Sequence, residues 1–294
     1  MPIESIESLQ DALRQKLYIA ERGLATSIFL AHKLSRPLFL EGDAGVGKTE
    51  IAKVMASILD TDLIRLQCYE GLDVHHAVYE WNYTRQMMAI RLMEAQGDHT
   101  SEEELFSHKF LLRRPLLQAI ESKNGKPPVL LVDEIDRSDE EFEAFLLEVL
   151  SDFQITIPEI GTLRATEPPF VVITSNRTRE VHDALKRRCV YYWIDYPPFE
   201  KELQIVQMKI PQAPGNLARQ VTHFIQELRQ ADLYKIPGIA ETIDWTSALV
   251  ALDQTALDES IIQETLGVIL KYHDDIDKIG REELKSILNR VKNA

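Results

Sequence analysis

The stretch Gly42-Asp43-Ala44-Gly45-Val46-Gly47-Lys48-Thr49 decides how this chain is read. Its spacing, Gly-x-x-x-x-Gly-Lys-Thr, is that of a phosphate-binding loop. The apolar run Pro37 to Leu40 leads into it. Behind it, Ile51, Val54, Met55 and Ile58 recur at helical spacing on one face. The pattern therefore predicts strand, loop and amphipathic helix in series. The glycines let successive backbone N–H groups turn inward around a phosphate, and the helix N-terminus adds positive potential. Lys48 is expected to reach the β- and γ-phosphates, and the Thr49 hydroxyl to ligate Mg²⁺. Gly42, Asp43, Ala44, Gly45, Val46, Gly47, Lys48, Thr49 and Glu50 form the candidate nucleotide-binding segment. An ordinary glycine turn would require neither the lysine nor the flanking elements.

Three further motifs close predicted strands in a fixed order. Asp133-Glu134 ends the apolar run Val129 to Val132. Burying that strand leaves both carboxylates at its carboxyl end, where open α/β sheets bind ligands. Asp133 is expected to serve Mg²⁺ through its waters, and Glu134 to polarise an attacking water. Such a pair is common and structural by itself; the glycine loop gives it meaning. Asn176 ends Phe170 to Ser175 and is expected to orient the water beside the γ-phosphate, although Asn also starts many turns. Arg187 and Arg188 precede the strand Val190 to Ile194. Arg188 is the first candidate for an arginine finger and Arg187 the second; a surface ion pair is the plainer reading. A finger is worth ~10³–10⁵ in rate, or about 4–7 kcal/mol of barrier. It must reach a site to which it does not belong, which demands a head-to-tail assembly.

Composition sets limits. The 294 residues suffice for more than one domain, and 45% hydrophobic content makes the chain globular rather than disordered. No apolar run approaches the ~20 residues of a membrane span. Met1 to Gln10 is acidic and polar, so no secretory signal is expected. Cys68 and Cys189 are far apart and in no metal spacing, which fits a reducing cytoplasm. The net charge of −14 repels nucleic acid, and Lys186-Arg187-Arg188, the densest basic cluster, is a thin footprint. The adjacent His75 and His76 make a poor metal pair.

Two helices precede residue 37, the second from Ala20 to Leu34. Leu63 to Gln67 is a second strand. Between Cys68 and Glu121, Tyr79, Trp81 and Tyr83 alternate like a strand face or pack a helix, and a helix ends near Gly97. Gln96 to Ser101 is loop-like, Pro115 to Ser122 is a short helix, and Lys123 to Pro128 is a turn. A helix from Asp139 to Phe153 is followed by an alternating stretch, Ile155 to Arg164, that suggests a β-hairpin. Pro197-Pro198 marks a boundary. Beyond it the stripes Leu217, Val221, Phe224, Ile225, Leu228 and Leu284, Ile287, Leu288, Val291 are helical. The expected fold class is α/β: residues 1–198 form a parallel sheet flanked by helices, and residues 199–294 a small all-helical domain.

At these residues the chain resembles the AAA+ ATPases, and within them the MoxR family. The resemblance rests on the glycine loop, Leu130 to Arg137, the hairpin Gln154 to Arg164, Ile173 to Asn176 and the arginines before Cys189. Leu66 to Asp73 and Thr174 to Asp183 resemble the CoxD-like branch, associated with maturation of molybdenum-containing carbon monoxide dehydrogenase. The resemblance implies a P-loop NTPase with a helical lid, ATP and Mg²⁺, and a homohexamer. It further implies a protein client, a partner carrying a von Willebrand factor A domain, and a chaperone or metal-insertion role. One departure stands out: the family's arginine at the start of a lid helix has no counterpart in Gly238-Ile-Ala-Glu-Thr-Ile-Asp-Trp245-Thr, where Lys235 is the nearest cation in sequence.

The leading expectation is thus a ring ATPase that remodels or matures a protein client. A nucleic-acid motor of similar fold would need a basic surface that the charge disfavours. A small-molecule P-loop kinase would leave Asn176, Arg188 and the helical C-terminal domain unexplained.

Overall fold

The computed structural model describes residues 3–96, 101–121 and 125–293. They form two compact units. The first comprises Met1–Ala12, Glu21–Glu41 and Thr49–Trp193; the second comprises Leu13–Ala20, Gly42–Lys48 and Ile194–Ala294.

The strands, in chain order, are β1 (Leu38–Gly42), β2 (Leu63–Gln67), β3 (Tyr79–Trp81), β4 (Leu111–Arg113) and β5 (Val129–Asp133). They continue with β6 (Gln154–Ile157), β7 (Gly161–Arg164), β8 (Phe170–Ser175) and β9 (Val190–Ile194). Five of them make one sheet in the order β2-β5-β8-β1-β9. β1, β5 and β8 are buried along their whole length, as strands covered on both faces must be. β2, at one edge, is only partly buried. The parallel registers Gln67↔Asp133, Val132↔Ile173 and Glu41↔Ser175 bring the carboxyl ends of four strands to one edge of the sheet. Asp133 closes β5 at such an end, Glu134 follows it directly, and Asn176 follows the end of β8.

The helix Glu140–Asp152 shows why the local sequence folds as it does. Asp139 caps it by accepting from the Phe142 N–H at 2.8 Å, and Glu140, Glu141 and Glu143 complement the dipole in the first turn. Its face Phe142, Leu146, Val149, Leu150 joins the same core as Phe39, Leu66, Val132 and Ile173. The next segment is the predicted hairpin, β6 against β7, with Ile155 opposite Leu163. β3 and β4 form a second antiparallel pair.

The second unit is helical beyond β9: Phe199–Lys209, Gly215–Leu228, Ile239–Ala251, Glu259–Ile269, His273–Lys278 and Arg281–Asn293. Both stripes foreseen from sequence are buried together around Trp245, whose Nε1–H donates to Thr265 Oγ1 at 2.8 Å.

Tyr79 and Trp81 lie on β3, but Tyr83 starts the helix Tyr83–Gln96 and is exposed, so the three do not share a strand face. Trp81 is core, edge-on to Phe106. The short helix runs Pro115–Ile120. Gly97, Ser122 and the start of the turn at Lys123 lie outside the described residues. Arg187 and Arg188 do not simply precede β9; they form the last turn of a helix, Asp183–Arg188.

Candidate active site

In the first unit the site is built on Asp133. Its carboxylate is almost wholly buried. Oδ1 accepts from Thr49 Oγ1 at 3.0 Å and from Thr174 Oγ1 at 2.6 Å. Oδ2 accepts from Arg65 Nε at 3.0 Å. Thr174 also accepts from the Glu134 N–H at 3.0 Å, so one hydroxyl fixes the side chain of Asp133 and the backbone of Glu134.

Glu134 turns the chain out of β5 at φ 57, ψ 51, a left-handed conformation uncommon outside glycine. That turn separates its side chain from that of Asp133. Glu134 accepts from Gln67 Nε2 at 3.0 Å and from Asn176 Nδ2 at 3.4 Å, and pairs with Arg137 at 3.0 Å. The predicted base and the predicted polar sensor are therefore brought together.

Glu41, the last residue of the first unit before the loop, is buried. It accepts from Lys186 Nζ at 3.2 Å and from Tyr191 Oη at 2.8 Å. Burial and this hydrogen bond push the Tyr191 phenol up to about 12. Arg187 pairs with Asp183, and Arg188 donates to Leu147 O and Ser151 Oγ. All three members of the basic cluster thus have acceptors within the chain, while Arg187 and Arg188 stay exposed.

The loop Gly42–Lys48 belongs to the second unit. Gly42, Gly45 and Gly47 have φ of +155°, +79° and +92°. A Cβ on Gly42 would stand 2.3 Å from Ile194 O. Gly42 and Gly45 are thus required both by dihedral angle and by space, and Gly47 by dihedral angle. Lys48 is buried, and its Nζ donates to Gly42 O at 2.7 Å and Asp43 O at 2.6 Å, held inside the curl of its own loop. Tyr196, in the same unit, has its phenol pushed up to about 12 by burial and by the neighbouring Asp43 carboxylate. The Arg229 guanidinium lies 4.8 Å from the Tyr196 ring centre and donates to Pro237 O at 2.8 Å. Arg229, rather than Lys235, is therefore the cation bonded just before the helix Ile239–Ala251, and its charge is taken by Glu202 at 2.6 Å.

These donors suit the expected ligands. A glycine curl that side chains would fill, with a buried ammonium inside it, suits a polyphosphate. A hydroxyl bonded to a buried carboxylate supplies the oxygen donors that Mg²⁺ takes. His75 and His76 offer no such set: His76 Nδ1 lies 2.8 Å from Asp73 Oδ1, and no metal-ligating cluster occurs among the described residues.

The sheet order and these groups define a P-loop nucleotide hydrolase. Residues 37–189 match the AAA domain (dynein-related subfamily), and the chain belongs to that family. It is an ATPase that uses ATP with Mg²⁺. An uncharacterized protein of Staphylococcus epidermidis (strain ATCC 12228 / FDA PCI 1200) is 25% identical over 271 residues, 88% of this chain and 91% of that protein. Among solved structures, the Thermotoga maritima RuvB Holliday junction branch migration motor is 17% identical with a TM-score of 0.46, over 91% of this chain and 72% of that one. A candidate ATPase from Cytophaga hutchinsonii is 16% identical with a TM-score of 0.48, over 97% and 93%. No helix among the described residues is long and apolar enough to cross a membrane.

Sequence reasoning missed Arg65, Gln67, Thr174 and Glu41 as parts of the site. A signal existed for the first two. Arg65 and Gln67 are polar residues two apart on a short strand, so they share a face.

Proposed function

We propose that this chain is a MoxR-family ATPase of the CoxD-like branch, working as a homohexameric ring that remodels or matures a protein client. The observation that carries the hydrolytic part is the contact of Asn176 and Gln67 with Glu134, beside the Thr49–Asp133 hydrogen bond. In this reading residues 1–198 are the nucleotide-binding domain and residues 199–294 the lid. Segment 42–50 binds ATP, which brings the phosphoanhydride bond to be broken; Thr49 and Asp133 hold Mg²⁺. Glu134 takes the proton of the attacking water while Asn176 orients that water. Arg188, with Arg187 as the alternative, supplies positive charge to the γ-phosphate of a neighbouring protomer; the exposure of both side chains supports this.

The client reading rests on the resemblance of Leu66 to Asp73 and Thr174 to Asp183. It names a von Willebrand factor A domain protein as partner and a molybdenum-containing carbon monoxide dehydrogenase-type enzyme as client, in the cytoplasm. Free thiols at Cys68 and Cys189 are compatible with that compartment. Affinity capture with Glu134→Gln as bait, with and without ATP, tests it. ATP-dependent recovery of either protein is expected. Recovery of nucleoprotein, or of nothing that depends on ATP, would contradict it.

A further inference from the structure

We infer that the helix Ile239–Ala251, the proposed lid helix, is coupled to the phosphate loop through close backbone contact where Gly238 meets Gly45. The inference rests on the reading of segment 42–50 as the ATP site. Both glycines lie in the second unit. The Gly45 carbonyl accepts from the Ile239 N–H at 3.0 Å and from the Ala240 N–H at 3.4 Å. The first amides of a helix have no acceptor within the helix. This helix directs two of them onto the loop.

The fit leaves no room for side chains. A Cβ on Gly238 would stand 2.8 Å from Gly45 Cα and 2.9 Å from Ala44 O. A Cβ on Gly45 would stand 3.1 Å from Gly238 Cα and from Glu241 Oε2. Gly45 also needs glycine for its φ of +79°, but Gly238 does not: its φ of −87° and ψ of −172° suit any residue. Gly238 is therefore glycine because of what it touches. Glu241 completes the joint, its Oε2 accepting from the Gly238 N–H at 2.9 Å.

A loop that changes shape around a phosphate must move the Gly45 peptide, and the two amides bonded to it follow. The lid helix thus responds to the loop directly, and Gly238 is a positioning residue for the nucleotide.

The test measures Mg-ADP affinity of the full chain with Gly238→Ala. Gly267→Ala serves as control, because a Cβ there meets nothing within 4 Å. Overpacking at the joint is expected to weaken binding about ten-fold or more, while the control binds as the parent does. Unchanged affinity in a folded Gly238→Ala chain would overturn the inference. Should that variant fail to fold, amide exchange on the parent chain decides. Mg-ADP should slow exchange at Ile239 and Ala240 together with the loop amides. Protection of the loop without Ile239 and Ala240 would refute the coupling. Protection of neither would instead remove the ATP-site reading beneath it.

Discussion

Arg65 donates through Nε to Asp133 Oδ2 at 3.0 Å, on the carboxylate whose other oxygen accepts from Thr49. The negative charge proposed to serve Mg²⁺ thus already carries a cation. The strength of such a pairing depends on burial, and Asp133 is buried whereas Arg65 is half exposed. The guanidinium should compete with the metal. Arg65→Gln is expected to lower the Mg²⁺ concentration for half-maximal ATPase activity several-fold at saturating ATP. A raised requirement would mean that Arg65 orients Asp133 for the metal instead.

Glu134 stands in a strained left-handed turn and is held by Gln67 and Asn176. Glu134→Gln keeps the size of the side chain and removes its basicity. Turnover should fall by ~10²–10⁴ while ATP affinity stays near that of the parent. Steady-state kinetics with a binding isotherm checks both. Parallel loss of affinity would place Glu134 in binding rather than proton transfer.

Glu202 is fully buried, paired with Arg229 and hydrogen-bonded by Thr242 at 2.6 Å. Arg229→Ala should destabilise the fold by about 3–5 kcal/mol, since a buried carboxylate is left without its counter-charge. A urea titration reads this as a lowered midpoint. Arg229→Met combined with Glu202→Leu should recover much of the loss. A single variant as stable as the parent would refute the pairing.

Burial pushes the thiols of Cys68 and Cys189 up to about 12, with the Asp133 carboxylate adding to the effect at Cys68. Both thiols stay protonated at pH 9. Alkylation of the native chain should therefore stay slow and nearly flat from pH 7 to 9, where an ordinary thiol speeds up. The folded state binds more protons than the unfolded state above the ordinary thiol range. Stability is therefore intact below pH ~8 and is lost as pH rises toward 12. A fast alkylating thiol at pH 8 in the folded chain would contradict this.

The sheet was legible in the sequence because its central strands, Val129–Asp133 and Phe170–Ser175, are buried on both faces and so read as unbroken apolar runs. The candidate site was legible where the chemistry is local: a glycine loop, or a carboxylate pair at the end of a strand. It was not legible where partners lie far apart along the chain. Gln67 meets Glu134 across 67 positions, Lys186 meets Glu41 across 145, and the Gly45 carbonyl meets the Ile239 N–H through backbone alone. The strand face expected of Tyr79, Trp81 and Tyr83 failed because Asn82 Oδ1 accepts from the Arg85 N–H at 3.0 Å, at the entry to the helix that takes Tyr83.

In the proposed ring, Arg188 of one protomer completes the site of the next. Arg188→Ala should bind ATP and hydrolyse it poorly, and Lys48→Ala should not bind ATP. The two variants are mixed, and the ATPase activity of the mixture is compared with that of each alone. Hybrid interfaces pair an intact loop with an intact arginine, so activity well above the sum of the separate variants is expected. Activity equal to that sum, in mixtures shown to co-assemble, would contradict it.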